Sequence, residues 1–202
     1  MTEVSINKQV KLSQHFTLGE LCKTGVKTAD GNIPSHVHIE NLKRVCEWLE
    51  ELRRRYNQQY VCENEERSVS PPELGGARGG LNEGMSGASS DHPAHTGTPP
   101  NLGGEINTDA PIIITSGYRS PELNRKVGGS PTSNHLTGCA VDIRVAGIEQ
   151  AMRYAVILLD YADETKQDYD EILIERNRNG NYWLHFAVRP KDNRRKTMFI
   201  QA

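Results

Sequence analysis

Two periods of hydrophobicity run along this chain. Leu42, Val45, Cys46, Leu49 and Leu52 recur at three- and four-residue steps after Pro34-Ser35, which predicts an amphipathic helix. Ile148, Ala151, Met152, Ala155, Leu158, Leu159 and Ala162 form a second stripe of this kind, from about Gly147 to Ala162. Thr17 followed by Glu20 is a capping box and opens a short helix. Ser120-Pro121-Glu122 supplies an N-cap, a first-turn proline and a first-turn acid, and Gly128-Gly129 stops the helix that follows. Strand patterns lie between and after these helices: Pro111–Thr115 as a buried strand, Val141–Val145, Glu171–Glu175, Tyr182–Val188, and a last one over Thr197–Ile200. Asn-Gly within Asn177–Asn181 marks a β-hairpin. Helices come first and a mostly antiparallel sheet later, so the expected class is α+β, one domain with helices flanking the sheet.

Residues 66–108 break the pattern. They are rich in glycine, serine and proline, contain no aromatic residue, and their few apolar positions show no period. Such a segment buries too little surface to offset its ordering entropy. We read it as a disordered insertion within a single domain spanning residues 1–202. The apolar fraction of 36% fits a chain of which part stays outside any core. A net charge of −2 gives no global field toward nucleic acid or anionic lipid. No apolar run is long enough to span a membrane. The opening residues lack an apolar signal segment, so cytoplasmic synthesis is expected, with action on an outside target only after release or export. Cys22, Cys46, Cys62 and Cys139 form no C-x-x-C pair and read as reduced thiols. His92 and His95 lie in the insertion without nearby carboxylates and do not read as a metal site. The runs Arg53–Arg55 and Arg194–Lys196 read as solvated charge.

Three short stretches carry candidate chemistry: Ser116-Gly-Tyr-Arg-Ser120, Ser133-Asn-His-Leu-Thr-Gly-Cys-Ala-Val-Asp142 and Trp183-Leu-His185. Each alone is weak. Together they resemble the zinc D-Ala-D-Ala carboxypeptidase and cell-wall endopeptidase family, in its phage and prophage branch. Residues 133–142 fit its Ser-x-His-x-x-Gly-x-Ala-x-Asp pattern at every fixed position. Val127–Ser130 and the opening Leu12-Ser-Gln-His-Phe-Thr-Leu-Gly-Glu-Leu are similar to that branch too. The resemblance implies a hedgehog/DD-peptidase-like fold and one Zn2+ per chain, held by His135, Asp142 and His185.

The residues agree with that implication. Two imidazoles and a carboxylate, leaving one position for water, suit a catalytic zinc. Asp142 interrupts an apolar strand, where a buried carboxylate needs a cation or strong donors. Alternation puts His185 with Trp183 and Ala187 on one face, and Leu184, Phe186 and Val188 on the other. Gly138 and Ala140 are small, which suits close approach of backbone and metal. Arg119 is expected to stabilise an oxyanion, as the resemblance implies, and Ser133, Trp183 and Tyr182 are the substrate-binding candidates.

The departure is at Tyr182, where many family members carry Asp or Glu. The nearest replacement acids are Glu175, Glu171 and Asp170, and hairpin register selects Glu175 as catalytic base. An odd loop, for example Asn179–Asn181, sets Glu175 opposite His185 and Glu171 opposite Arg189. It then pairs Ile172 with Val188 and Ile174 with Phe186, an apolar face. The expected function is a zinc metallopeptidase cutting D-amino-acid-containing bonds in a peptidoglycan stem peptide or cross-link, by a monomer with no nucleic-acid partner. The alternative is a zinc-stabilised peptidoglycan-binding module with little or no catalysis.

Overall fold

The computed structural model describes residues 7, 9–61 and 109–201; the insertion at 66–108, Cys62, His92 and His95 lie outside the described residues. The order of elements is α1 (Leu18–Leu21), α2 (His36–Tyr56), β1 (Ile114–Ser116), α3 (Pro121–Lys126), β2 (Ala140–Arg144), α4 (Ile148–Thr165), β3 (Glu171–Arg176), β4 (Tyr182–Ala187) and β5 (Lys196–Gln201). A π-helical turn, Asn57–Val61, extends α2, and a 3-10 turn, Asn134–Thr137, precedes β2. The class is α+β. One five-stranded sheet has the order β1-β2-β4-β3-β5, antiparallel except where β5 runs parallel to β3.

Local chemistry sets the helix starts. Thr17 and Glu20 form the expected capping box on α1, and Ser35 caps α2. Ser120 caps α3, and Gly128, with φ of 72°, follows its end. The α2 stripe is fully buried at Leu42, Val45, Cys46, Leu49 and Leu52, and Trp48 joins it. Trp48 packs on Phe186 of β4 with 5.3 Å between ring centroids. The sheet thus lays Val141, Ile143, Ile172, Ile174, Leu184 and Phe186 against the helices.

Several expectations need correction. Residues 111–115 are not a buried strand: β1 starts at Ile114, and Ile113 is exposed. As an edge strand with an irregular register it covers only part of one side. On α4, Ile148 and Met152 face solvent while Tyr154 and Ile157 are buried. Tyr154 packs edge-on against Tyr56, 4.8 Å between centroids, which turns the buried face toward it. The arginine runs are ion-paired rather than simply solvated. Arg53 meets Asp109, Arg55 meets Glu51 and Glu164, and Arg194 and Arg195 reach four acids around β3 and α4. Cys22, Cys46 and Cys139 are free thiols. Among the described residues, no helix is long and apolar enough to cross a membrane.

Candidate metal centre

Strand register brings two of the three expected donors together. Asp142 on β2 lies directly opposite His185 on β4. His135 arrives from the 3-10 turn just before β2. Ser133 caps that turn, its Oγ accepting from the His135 backbone N–H. Gly138 ends it with φ of 70°, and a Cβ there would lie 2.6 Å from the His38 carbonyl oxygen. The small residue therefore serves approach to α2 rather than to a metal. Gly117 is equally constrained, since a Cβ would fall 2.1 Å from the Leu21 carbonyl oxygen. Its own carbonyl oxygen lies 2.6 Å from His135 Nδ1.

His135 Nε2 and His185 Nδ1 lie 3.2 and 2.9 Å from the same oxygen, Asp142 Oδ1. One donor atom from each residue falls within 4.8 Å of the others, and all three residues are buried. The nitrogens that face away from Asp142 are also occupied. His135 Nδ1 has Gly117, and His185 Nε2 has Glu171 Oε2 at 3.5 Å. Outer partners of this kind fix which ring nitrogen is left to bind a metal. Two imidazoles and a carboxylate, buried and aimed at one point, fit a metal ion such as zinc.

The charges in the cluster reflect its crowding. Burial opposes ionisation of Asp142, but the charges and hydrogen bonds of both histidines hold its carboxyl far below the usual range. Burial likewise opposes charge on His185, yet Asp142 and Glu171 together lift it to about 9. Burial prevails at His135 and lowers it.

Arg119 reaches the same cluster. Its Nη2 donates to Asp142 Oδ2 at 2.5 Å, and its Nε donates to Ser116 Oγ. Trp183 lies on the His185 face, half-buried and opposite Glu175. Tyr182 is on the other face, packed against the core with the Arg176 guanidinium over its ring. That position turns it away from the trio. A cavity of about 230 Å³ includes Ser116 and Arg119, and another of about 360 Å³ includes Ser133 and Arg189. Larger concavities lie beside Cys22, about 420 Å³, and beside Glu50, about 670 Å³, and none of these four is lined by a member of the trio.

The hairpin corrects the expected register. All five residues 177–181 form the loop, organised by the Asn177 side chain, whose Oδ1 accepts from the Asn179 and Asn181 N–H groups. The loop is odd, as expected, but longer by two. Glu175 therefore opposes Trp183, Leu173 opposes His185, and Glu171 opposes Ala187. The apolar pairs are Ile172 with Phe186 and Ile174 with Leu184. Parity survives, so Glu171 and Glu175 still share the His185 face.

These acids have different environments. Asp170 is fully buried and paired with Arg189 and Arg194. Glu171 meets His185, Asn134, Arg194 and Lys196, and the His185 contact, against burial, draws its carboxyl down to about 2. Glu175 is half-buried with no side-chain hydrogen bond or ion pair among the described residues. Burial raises its pKa, and the charges it feels are His185, Asp142, Arg119 and Glu171. Sequence reasoning missed Asn134, Gly117, Arg189 and Arg194. The Asn134 partners are 36, 37 and 55 residues away, which leaves no local signal.

Residues 105–166 match a family model described as Peptidase M15. The matched span contains Arg119, His135 and Asp142 and stops before His185 and the β3 acids. No curated protein matches the chain.

Proposed function

Because the chain resembles the M15 zinc D-Ala-D-Ala carboxypeptidase-like family, we propose that it is a zinc-dependent peptidase hydrolysing D-amino-acid-containing peptide bonds of peptidoglycan. The observation that carries this reading is the buried trio with, on its face, the Glu175 carboxylate, which has no side-chain partner among the described residues. His135 Nε2, Asp142 and His185 Nδ1 would hold one zinc ion. When bound, zinc supplies Lewis acidity toward a carbonyl oxygen and makes water more acidic.

The remaining work falls to the chain's own side chains. Glu175 is the base. Its diagonal neighbour across the hairpin is His185, and diagonal neighbours at about 7–8 Å remain within reach of a long side chain. A raised pKa moves a carboxylate toward the range in which it both takes a proton from water and returns it to a leaving amine. Arg119 orients Asp142 through Nη2 and leaves Nη1 to meet a developing oxyanion. Trp183 offers an indole face beside Glu175, and Ser133 lines a cavity with Asn134 and Arg189. The Glu175 carboxylate, without a side-chain partner among the described residues, favours an enzyme over a zinc-stabilised binding module, despite Tyr182 at the usual acid position. We read the chain as a monomer that meets the wall after release or export.

The test is mass spectrometry of defined muropeptides incubated with zinc-loaded protein and with a chelator control. The reading expects zinc-dependent fragments, whose masses identify the scissile bond. Intact muropeptides in both arms, with binding retained, would favour the binding module.

A further inference from the structure

The mechanism above leaves Glu171 without a role, although it is one of the most heavily bonded carboxylates near the trio. Its Oε2 lies 3.5 Å from His185 Nε2 and accepts from Asn134 Nδ2 at 2.9 Å. Its Oε1 lies 2.9 Å from Arg194 Nη2 and 3.5 Å from Lys196 Nζ. Asn134 is itself fixed: its Nδ2 also donates to Asp170 Oδ2, and its Oδ1 accepts from Arg189 Nε. Asn134 immediately precedes His135. One network of hydrogen bonds and ion pairs therefore joins the segment that carries the first imidazole to the carboxylate that meets the second.

We propose that Glu171 is a positioning residue: clamped by Asn134, Arg194 and Lys196, it holds the Nε2–H of His185 and so commits His185 Nδ1 to the metal. The inference rests on the zinc reading of the trio and extends it to a residue outside the ligand set. A neutral imidazole carries one ring proton and exposes one lone pair, so the partner of the outer nitrogen decides which nitrogen binds. At His135 the Gly117 carbonyl does this from the backbone and is beyond the reach of side-chain substitution. At His185 the task falls to a side chain, which makes it testable. Two orientations of His185 are otherwise open, since either ring nitrogen of a histidine is a competent ligand. The charge of Glu171 favours the one in which Nε2 keeps its proton. The same bonds that set this orientation leave Glu171 unsuited to act as a base, and Glu175, four residues further along the strand on the same face, stays free of them.

The test compares the full chain with Glu171→Gln and Glu171→Ala. Zinc affinity is measured by competition with a chromogenic chelator, and zinc-free melting is followed by circular dichroism. Exchange of the His185 Nε2 proton is followed by NMR in the zinc-loaded protein. The isosteric Gln variant keeps the packing, so its fold is expected to be unchanged even where Ala disturbs the β3 edge. The expected result is zinc affinity about 10–100-fold weaker in Ala and about tenfold weaker in Gln. The Nε2 proton should exchange faster in both, while the zinc-free melting of Gln stays with the wild type. Wild-type affinity and proton exchange in both variants would overturn the role of Glu171 while leaving the metal centre intact. A wild-type chain that holds no zinc would overturn the centre and this role with it.

Discussion

The two faces of the central sheet are built from the same strands and follow opposite rules. Val141, Ile143, Ile172, Ile174, Leu184 and Phe186 point to the helices and are held by shape alone. One residue out of step, Asp142, His185, Glu171 and Glu175 point the other way, and the first three are held by particular polar partners. Burial on the first face is non-directional and gives stability. Burial on the second strengthens charge interactions and makes each unpaired group costly. The fold stabilises itself on one face and gathers ionisable groups on the other.

That contrast is broken most forcefully from the core side. Phe186→Ala removes a fully buried ring that packs on Trp48 and should cost about 3–5 kcal/mol in urea unfolding. A loss under about 1 kcal/mol would mean that the face is less tightly packed than it looks. Glu175→Gln probes the other face. It should leave the melt and the zinc content unchanged while turnover on muropeptides falls by ~10²–10⁴. Wild-type turnover would move the base elsewhere.

The two faces were not equally legible in the sequence. Hydrophobic period alone placed the buried side of α2, because five positions at helical steps leave one solution. Alternation along β4 gave the His185 face correctly. It fixed the parity of the hairpin but not its length, since loops of three and five residues share a parity. The five-residue loop is closed by the Asn177 side chain, bonding across the turn, together with the Asn177 N–H to Asn181 and Gly180 N–H to Asn177 backbone bonds. That two-residue difference moved Glu175 from opposite His185 to a diagonal position. The trio was legible because its spacing is a motif. The bracket of Asn134, Asp170, Arg189 and Arg194 was not, because each partner comes from a distant segment and none carries a pattern of its own.

Smaller effects lie at the periphery, where ion pairs replace both kinds of burial. Glu51 is held at about 2 by the Arg54 hydrogen bond, against burial and with help from Arg55. A lowered carboxyl pKa contributes stability that is present above about 4.5, its unfolded value, and is lost as pH falls toward 2. With solvent screening, Glu51→Gln should lose about 1 kcal/mol at pH 7 and nothing near pH 2, seen as melting curves that converge in acid. A constant gap across that range would assign the effect to packing. Smallest of all should be removal of residues 66–108, whose composition predicts no part in the core. The chain returns beside its exit point: Asn57 Oδ1 accepts from the Ala110 N–H at 2.8 Å, and Arg53 pairs with Asp109. A short Gly/Ser bridge then closes the gap, and loop-closure cost varies slowly with length. The melting midpoint should stay within a few degrees of the parent, and loss of a cooperative melt would give the segment a structural role.

The central claim is that the polar face holds one zinc ion through His135, Asp142 and His185. It is tested most directly by elemental analysis of the purified wild type and of His135→Ala after dialysis against a weak chelator. The account predicts about one zinc per chain in the wild type, almost none in the variant, and a lower melting point for the variant because metal binding favours the folded state. Full zinc occupancy in His135→Ala would contradict it.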